Sequence, residues 1–182
     1  MKPKERRDRL FKKSRPNVRP IELMKQGQIG KDMAILWAAY QQNTFTDHIP
    51  DNLTQEQFTE FWLDMASRYN AGWMIEDRNP SFADETVPVG MMMAYHNGWE
   101  LEPHFEGFAW ATPRNKLRSV VGFLQMMRYD REVGVVNVHS LKKDKRFFKH
   151  VAKYGVLNYL GLIPHGDARG DRHIFYVRGR KQ

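Results

Sequence analysis

The stretch VPVGMMMAYHNGWELEPHFEGFAWATPRNKLRSV, residues 87–120, is typical of a long hairpin that leads directly into a helix. Apolar side chains recur at every second position over 87–95, which predicts a strand. The dipeptide Asn97-Gly98 is a strong signal for a tight hairpin turn. A returning strand is predicted over 99–111, and Pro113 is expected to stop it.

Hydrophobic periodicity on both sides of this hairpin predicts further strands and helices. Thr54 and Gln57 form a capping-box pattern at the start of one of these helices. Pro20 indicates that the first strand lies at a sheet edge. The predicted helices are 31–41, 54–69, 114–129 and 144–154, and the other predicted strands are 18–24, 72–77, 133–139, 156–162 and 173–177.

The element order is strand, two helices, three strands, helix, strand, helix and two strands. It predicts the α/β (α+β) class, with a central mixed, mostly antiparallel twisted sheet of about seven strands flanked by about four helices. A chain of 182 residues has enough apolar content for one sizeable core. We therefore expect one domain over residues 18–182, preceded by a basic N-terminal arm over residues 1–17.

Composition excludes several classes of protein and site. Without cysteine, the chain has no disulfide, no thiolate metal site and no cysteine nucleophile. The histidines lack a compact metal-ligand spacing, so no metal site is predicted. No apolar run is long enough for a membrane span, and no secretory signal peptide is evident. The segment 166–171 is predicted to be a hairpin turn and not a calcium loop.

The arm concentrates the positive charge of a chain whose net charge is +8. Nine Lys or Arg residues lie between Lys2 and Arg19, against only Glu5 and Asp8. Such a segment suits the phosphates of a nucleic acid or an acidic protein surface, and it is equally typical of a solvated tail. The candidate partner-binding residues are Lys2, Lys4, Arg6, Arg7, Arg9, Lys12, Lys13 and Arg15.

The predicted element order resembles that of the GNAT (acyl-CoA N-acyltransferase) fold after the arm. In that family the fourth strand leads into a turn of pattern Arg/Gln-x-x-Gly-x-Gly/Ala, whose amides hold the coenzyme A pyrophosphate. Here the corresponding run starts at Arg114, but Leu117 and Ser119 occupy the glycine positions. The resemblance implies a degenerate cofactor site with no cofactor bound, or acetyl-CoA if the protein is active. The candidate cofactor-binding residues are Thr112, Arg114, Asn115, Lys116, Leu117, Arg118 and Ser119.

The resemblance also implies catalytic positions. On the last helix, Val151 stands where the family commonly has a proton-donating tyrosine, and Asp144 stands at the asparagine position. Tyr154, near that position, is the candidate acid. The candidate base is one of three alternating glutamates of the returning strand, although such a row is also typical of a solvent-exposed face. These glutamates are Glu100, Glu102 and Glu106.

A narrower resemblance is to GNAT-like internal virion proteins of short-tailed phages, carried by residues 145–155. It implies a structural or interaction component in the virion or the host cytoplasm that docks on other virion proteins. The basic arm and the C-terminal residues Arg178, Arg180 and Lys181 are then the docking elements. The alternatives are an active N-acetyltransferase with an atypical cofactor turn and a nucleic-acid-binding protein.

Overall fold

A computed structural model of the chain describes residues 1–12, 14–45, 49–79, 85–130, 132–141, 145–167 and 170–178. Within these ranges the helices are α1 (Pro3–Leu10), α2 (Lys31–Gln41), α3 (Gln55–Arg68), α4 (Pro113–Met127) and α5 (Lys145–Ala152). The strands are β1 (Asn17–Pro20), β2 (Met24–Lys25), β3 (Gln28–Ile29), β4 (Ala71–Arg78), β5 (Thr86–His96), β6 (Glu100–Gly107), β7 (Val135–Leu141), β8 (Asn158–Asp167) and β9 (Gly170–Arg178).

Seven strands form one mixed sheet in the order β1-β4-β5-β6-β7-β9-β8, and β2 and β3 form a separate small ribbon. The pairs β1/β4, β4/β5, β7/β9 and β8/β9 are antiparallel, whereas β6 and β7 are parallel. This confirms the predicted class and the mostly antiparallel sheet of seven strands. The described ranges contain five helices instead of about four, because the basic arm contains α1.

The chain divides into two compact units. The helix-pair unit consists of Pro16–Tyr95 and Phe105–Lys116 and contains α2 and α3. The hairpin unit consists of Met1–Arg15, His96–His104 and Leu117–Gln182 and contains the β8/β9 hairpin.

The core of the helix-pair unit depends on aromatic residues at helical spacing. Phe58 and Trp62 of α3 are buried, and the Phe58 ring contacts Trp37 and Tyr40 of α2 with centroids 5.3 and 4.9 Å away. The predicted capping box is confirmed, since the Thr54 hydroxyl accepts a hydrogen bond from the backbone N–H of Gln57. These contacts fix α3, so its aromatic stripe serves the core and not a ligand.

A charged network ties β1 to α2 and β4 in the same unit. The guanidinium of Arg19 lies 2.7 Å from the fully buried Asp32 and 2.8 Å from Glu76. The backbone N–H of Glu22 also donates to Asp32, at 2.7 Å. A buried carboxylate is costly unless it is paired and hydrogen-bonded, and the pairing of Asp32 with Arg19 and the Glu22 amide offsets that cost.

Several predicted boundaries were wrong, including those of the last hairpin, whose strands are Asn158–Asp167 and Gly170–Arg178 instead of 156–162 and 173–177. The returning strand β6 ends at Gly107 and does not continue towards residue 111, since the backbone of Ala111 turns back to donate to the carbonyl of Phe108 at 3.0 Å. Pro113 is the first residue of α4, a position where its fixed φ and missing N–H are tolerated. The first strand also ends earlier than predicted, at Pro20.

Candidate functional site

The first turn of α4 satisfies most of its own amide groups. The Thr112 hydroxyl accepts a hydrogen bond from the backbone N–H of Asn115 at 3.1 Å, and the Asn115 side-chain oxygen accepts one from the backbone N–H of Thr112 at 3.3 Å. The backbone N–H of Lys116 donates to the Thr112 carbonyl at 3.0 Å, and Pro113 has no N–H. Of the first four helical residues, Arg114 alone keeps an N–H without a partner in the described ranges.

Asn115 also holds the start of α4 against β4. Its side-chain nitrogen lies 3.2 Å from the Asp77 carboxylate and 3.2 Å from the carbonyl oxygen of Arg78. Both Asn115 and Asp77 are buried. Because both ends of the Asn115 amide are engaged, this predicted cofactor-binding residue serves the local structure of the helix-pair unit.

The two cations of this turn lie at its surface. Arg114 is exposed, and the half-buried Lys116 runs along Gly107, where an added Cβ would lie 2.8 Å from the lysine chain. Positive side chains beside a helix N-terminus attract anions. They do so less specifically than a cradle of backbone amides.

The glycine positions of the family turn fall inside α4. Leu117 is half-buried and Ser119 is completely buried, and both have helical backbone. Their amides are within the helical hydrogen-bonding ladder, so they are not presented to a ligand. The Ser119 hydroxyl has no hydrogen-bond partner among the described residues.

Arg118, between these two positions, is only 5% exposed. Its guanidinium donates to the backbone carbonyl of Leu10 and, at 2.8 Å, to that of Ser14, and it lies 5.6 Å from the centroid of the Phe11 ring. The positive charge predicted to serve a cofactor phosphate is therefore engaged by the chain's own arm within the hairpin unit.

The arm is a docked segment. Leu10 is buried, the guanidinium of Arg7 donates to the carbonyl of Tyr154, and Pro3 lies against Gly155. Of the candidate partner-binding residues, Arg6 and Arg7 are half-buried. The exposed ones are Lys2, Lys4, Arg9, Lys12 and Arg15, and Lys13 lies outside the described residues.

The candidate acid lies at the end of α5. Tyr154 is half-buried, and its ring makes an edge contact with His150 at a centroid distance of 5.7 Å. Val151 is fully buried in the core, and Asp144 lies outside the described residues. The described part of α5 therefore places no hydroxyl at the family's tyrosine position.

Two of the three candidate glutamates face β7. The backbone ladder between β6 and β7 joins Glu100 to Val135 and Leu101 to Val136. Past Leu101, side chains link the strands: the Asn137 amide donates to Glu100, and Nδ1 of His139 lies 2.9 Å from a Glu102 oxygen.

Sequence reasoning missed Asn137 and His139, although their alternation on β7 was a usable signal. The third glutamate, Glu106, is half-buried and belongs to the helix-pair unit. The structure thus brings Glu100 and Glu102 together with an imidazole. Nδ1 of that imidazole also lies 3.4 Å from the Arg172 guanidinium.

The remaining predictions concern metals, membranes and the last turn. Across the described ranges, no cluster of His, Asp or Glu is arranged to hold a metal ion. None of the helices found there has the length and apolar character for crossing a membrane. Asp167 pairs with Gly170 at the end of the β8/β9 hairpin, which confirms the hairpin, while residues 168–169 and 179–182 lie outside the described ranges.

Comparison with known proteins identifies the fold. No protein-family model and no curated protein sequence matches the chain. Among solved structures, a probable GNAT-family acetyltransferase from Chromobacterium violaceum has a TM-score of 0.65 at 11% identity, covering 91% of this chain and 83% of that one. RimL, a ribosomal alpha-N-protein acetyltransferase in complex with coenzyme A, has a TM-score of 0.63 at 10% identity, covering 91% and 94%.

A mutant of the spermidine N-acetyltransferase SpeG from Vibrio cholerae has a TM-score of 0.61 at 10% identity, covering 90% of this chain and 94% of that one. At these identities the likeness concerns the fold. The chain therefore has the fold of GNAT acetyltransferases, as its element order predicted.

Proposed function

We propose that this GNAT-fold chain acts as an interaction component and does not bind acetyl-CoA at the turn that the family uses. The proposal depends on one observation: most backbone N–H groups in the first turn of α4 are absent or already hydrogen-bonded within the chain. We call this the closed first turn of α4. Pro113 lacks an N–H, and the amides of Asn115 and Lys116 donate to Thr112. A pyrophosphate held at a helix N-terminus needs several free amides, and of the first four residues of the helix Arg114 alone has an N–H without a partner among the described residues.

The neighbouring residues support the same conclusion. Leu117 and Ser119 put side chains where close backbone approach is needed, and the Arg118 guanidinium is engaged with Leu10 and Ser14. An anion that entered this turn would meet few free donors. The GNAT fold then serves as a scaffold for surfaces that contact a partner.

The exposed cations of the arm indicate that this partner is anionic. It is an acidic surface of another virion protein or a nucleic acid. The virion setting, in the particle of a short-tailed phage or in the cytoplasm of its host, follows from the sequence resemblance of residues 145–155 to internal virion proteins. The structures compared above are acetyltransferases, so this setting stays a prediction from the sequence.

Isothermal titration of the purified chain with acetyl-CoA, at low and at moderate salt, tests the proposal. RimL, which was solved with coenzyme A, provides the positive control. We expect no saturable heat at moderate salt from a chain whose circular dichroism shows it to be folded. Saturable micromolar binding that survives added salt would contradict the proposal.

One observation favours a second candidate function, N-acyl transfer from acetyl-CoA. The 2.9 Å contact between Glu102 and Nδ1 of His139 orients the imidazole, as a carboxylate does for a histidine that acts as a general base. The test is whether the wild type acetylates any amine in a panel. The second candidate replaces the first if it does, if Glu102→Gln and His139→Gln both lose this activity, and if Glu56→Gln keeps it. Glu56 is an exposed residue of α3.

A further inference from the structure

Helices α1 and α5 present their positive charges side by side in the hairpin unit. The Arg7 guanidinium donates to the Tyr154 carbonyl, and Pro3 contacts the position of Gly155, so the start of α1 adjoins the end of α5. We define the α1–α5 surface by six cations: Lys2, Arg6 and Arg9, which are four and three residues apart on one face of α1, and Arg146, Lys149 and Lys153.

Few opposite charges neutralise this surface. None of the six side chains has an ion-pair partner among the described residues. From Lys145 to Ile163 the sequence contains no Asp or Glu. On α1 the acidic residues are Glu5, which accepts a hydrogen bond from the backbone N–H of Lys2, and the exposed Asp8.

The exposed cations of α5, together with Lys153 in the turn directly after it, share one side of the helix. Arg146, Lys149 and Lys153 are exposed and are three and four residues apart, a spacing that places side chains on one helical face. On the other side, Val151 is fully buried and Phe148 lies 5.7 Å from the ring of the buried Phe175. The outward face of α5 is therefore cationic and its apolar residues are already used in the core.

We infer that the α1–α5 surface binds the phosphate backbone of a nucleic acid. Lysine is depleted and aromatic residues are enriched in the centres of protein interfaces, which argues against a protein as the occupant of this lysine-rich surface. Duplex DNA carries one charge per about 1.7 Å of its axis, so it offers several phosphates to cations spread over two helices. Docking of α1 on α5 holds the cations of the arm in place before binding, which lowers the entropic cost of ordering them.

The edge strand β8 provides the competing surface for a protein partner. Its exposed apolar side chains are Tyr159, Leu160, Leu162 and Ile163. The register of β8 against β9 shifts between Tyr159 and Gly161, and such a bulge disfavours the addition of another strand. Strand addition by a protein at β8 is therefore disfavoured. The cations of the α1–α5 surface suit a nucleic acid instead.

The inference rests on the proposed function and names its partner. We would titrate the 182-residue chain against a labelled, mixed-sequence DNA duplex of about 20 base pairs. Fluorescence anisotropy would measure the binding between about 50 and 200 mM salt. The triple variant Arg146→Gln, Lys149→Gln, Lys153→Gln should weaken binding at low salt about 10-fold or more. It should also reduce the slope of log affinity against log salt by about 2 to 3, because each lost phosphate contact removes about 0.9.

A matched triple variant controls for net charge. Lys25→Gln, Lys31→Gln and Arg68→Gln remove the same charge from exposed positions of the helix-pair unit and should leave the affinity and the slope close to those of the wild type. Three results overturn the inference: no DNA binding at the lowest salt, equal weakening by both triple variants, or displacement of DNA by poly-glutamate at charge concentrations far below those of competitor DNA. Acetyl-CoA titration separates the two proposals, since cofactor binding overturns the proposed function and leaves the DNA result unaffected.

Discussion

The guanidinium of Arg118 donates to the backbone carbonyl of Leu10, a residue 108 positions earlier in the chain. A position that aligns with the family's phosphate-binding turn thus anchors the N-terminal arm. The same guanidinium contacts the Ser14 carbonyl and the Phe11 ring, so Leu10, Phe11 and Ser14 are all arranged around it. Arg118 and the arm residues that it contacts all belong to the hairpin unit.

Replacing Arg118 by methionine should loosen this segment. The carbonyls of Leu10 and Ser14 would lose their donor, at a cost of about 1 to 3 kcal/mol in the free energy of unfolding. We expect faster amide hydrogen exchange in residues 10–12 and 14–15 and earlier tryptic cleavage within the arm.

The control for this variant is Arg114→Met, which removes an exposed arginine one turn earlier in α4. It should leave exchange in the arm unchanged. Equal protection of the arm in the Arg118 variant and the wild type would show that Arg118 does not hold it.

Ser119→Ala should stabilise the protein. The Ser119 hydroxyl is completely buried and has no hydrogen-bond partner among the described residues. The free-energy cost of removing it from water is therefore not offset by a hydrogen bond. Alanine also has the higher helix propensity. We expect a gain of about 1 kcal/mol in denaturant unfolding. Ser67→Ala, at an exposed helical serine that donates to the Asp64 carbonyl, should change stability less, and a loss of stability in Ser119→Ala would contradict the prediction.

The Arg19 network should make stability sensitive to acid. Burial raises the pKa of Asp32, but hydrogen bonds from Arg19 and from the Glu22 amide lower it by a larger amount. The net pKa of Asp32 therefore lies below its ordinary value. The pKa of Glu76 is lowered in the same way by Arg19 and Asn17. A carboxylate with a lowered pKa in the folded state stabilises that state above its unfolded pKa and loses this contribution as pH falls.

The free energy of unfolding should therefore fall as the pH drops from about 5 to below about 4, the range where unfolded carboxyl groups and then the folded ones take up protons. Arg19→Gln should be less stable at neutral pH and should lose less of its stability on acidification. Arg68→Gln, which breaks an exposed pair with Asp64, should keep the wild-type pH profile. Parallel profiles for Arg19→Gln and the wild type would contradict this account.

Local signals predicted the elements and their order. Capping at Thr54, alternation over residues 87–95 and the Asn97-Gly98 turn each act within a few residues, so the sequence expresses them directly. The class of the sheet, mixed and mostly antiparallel with about seven strands, then followed from this order of elements.

Features that depend on distant contacts could not be predicted in this way. The composition of the arm is also that of a solvated tail, and its docking depends on Arg118, more than a hundred residues away. The pairing of Glu102 with His139 depends on the register between β6 and β7, which the sequence does not state. The end of β6 at Gly107 likewise depends on the turn that joins Ala111 to Phe108.

Placing glycine at the two positions that correspond to the glycines of the family turn should not create cofactor binding. In the double variant Leu117→Gly, Ser119→Gly, the two amides still belong to the helical ladder of α4, while Pro113 and Thr112 keep the first turn closed. Each glycine inside a helix costs about 1 kcal/mol relative to alanine, so the melting temperature should fall. Acetyl-CoA titration should show no saturable heat. Micromolar binding by this double variant would mean that side-chain bulk, and not the closed first turn, blocks the site.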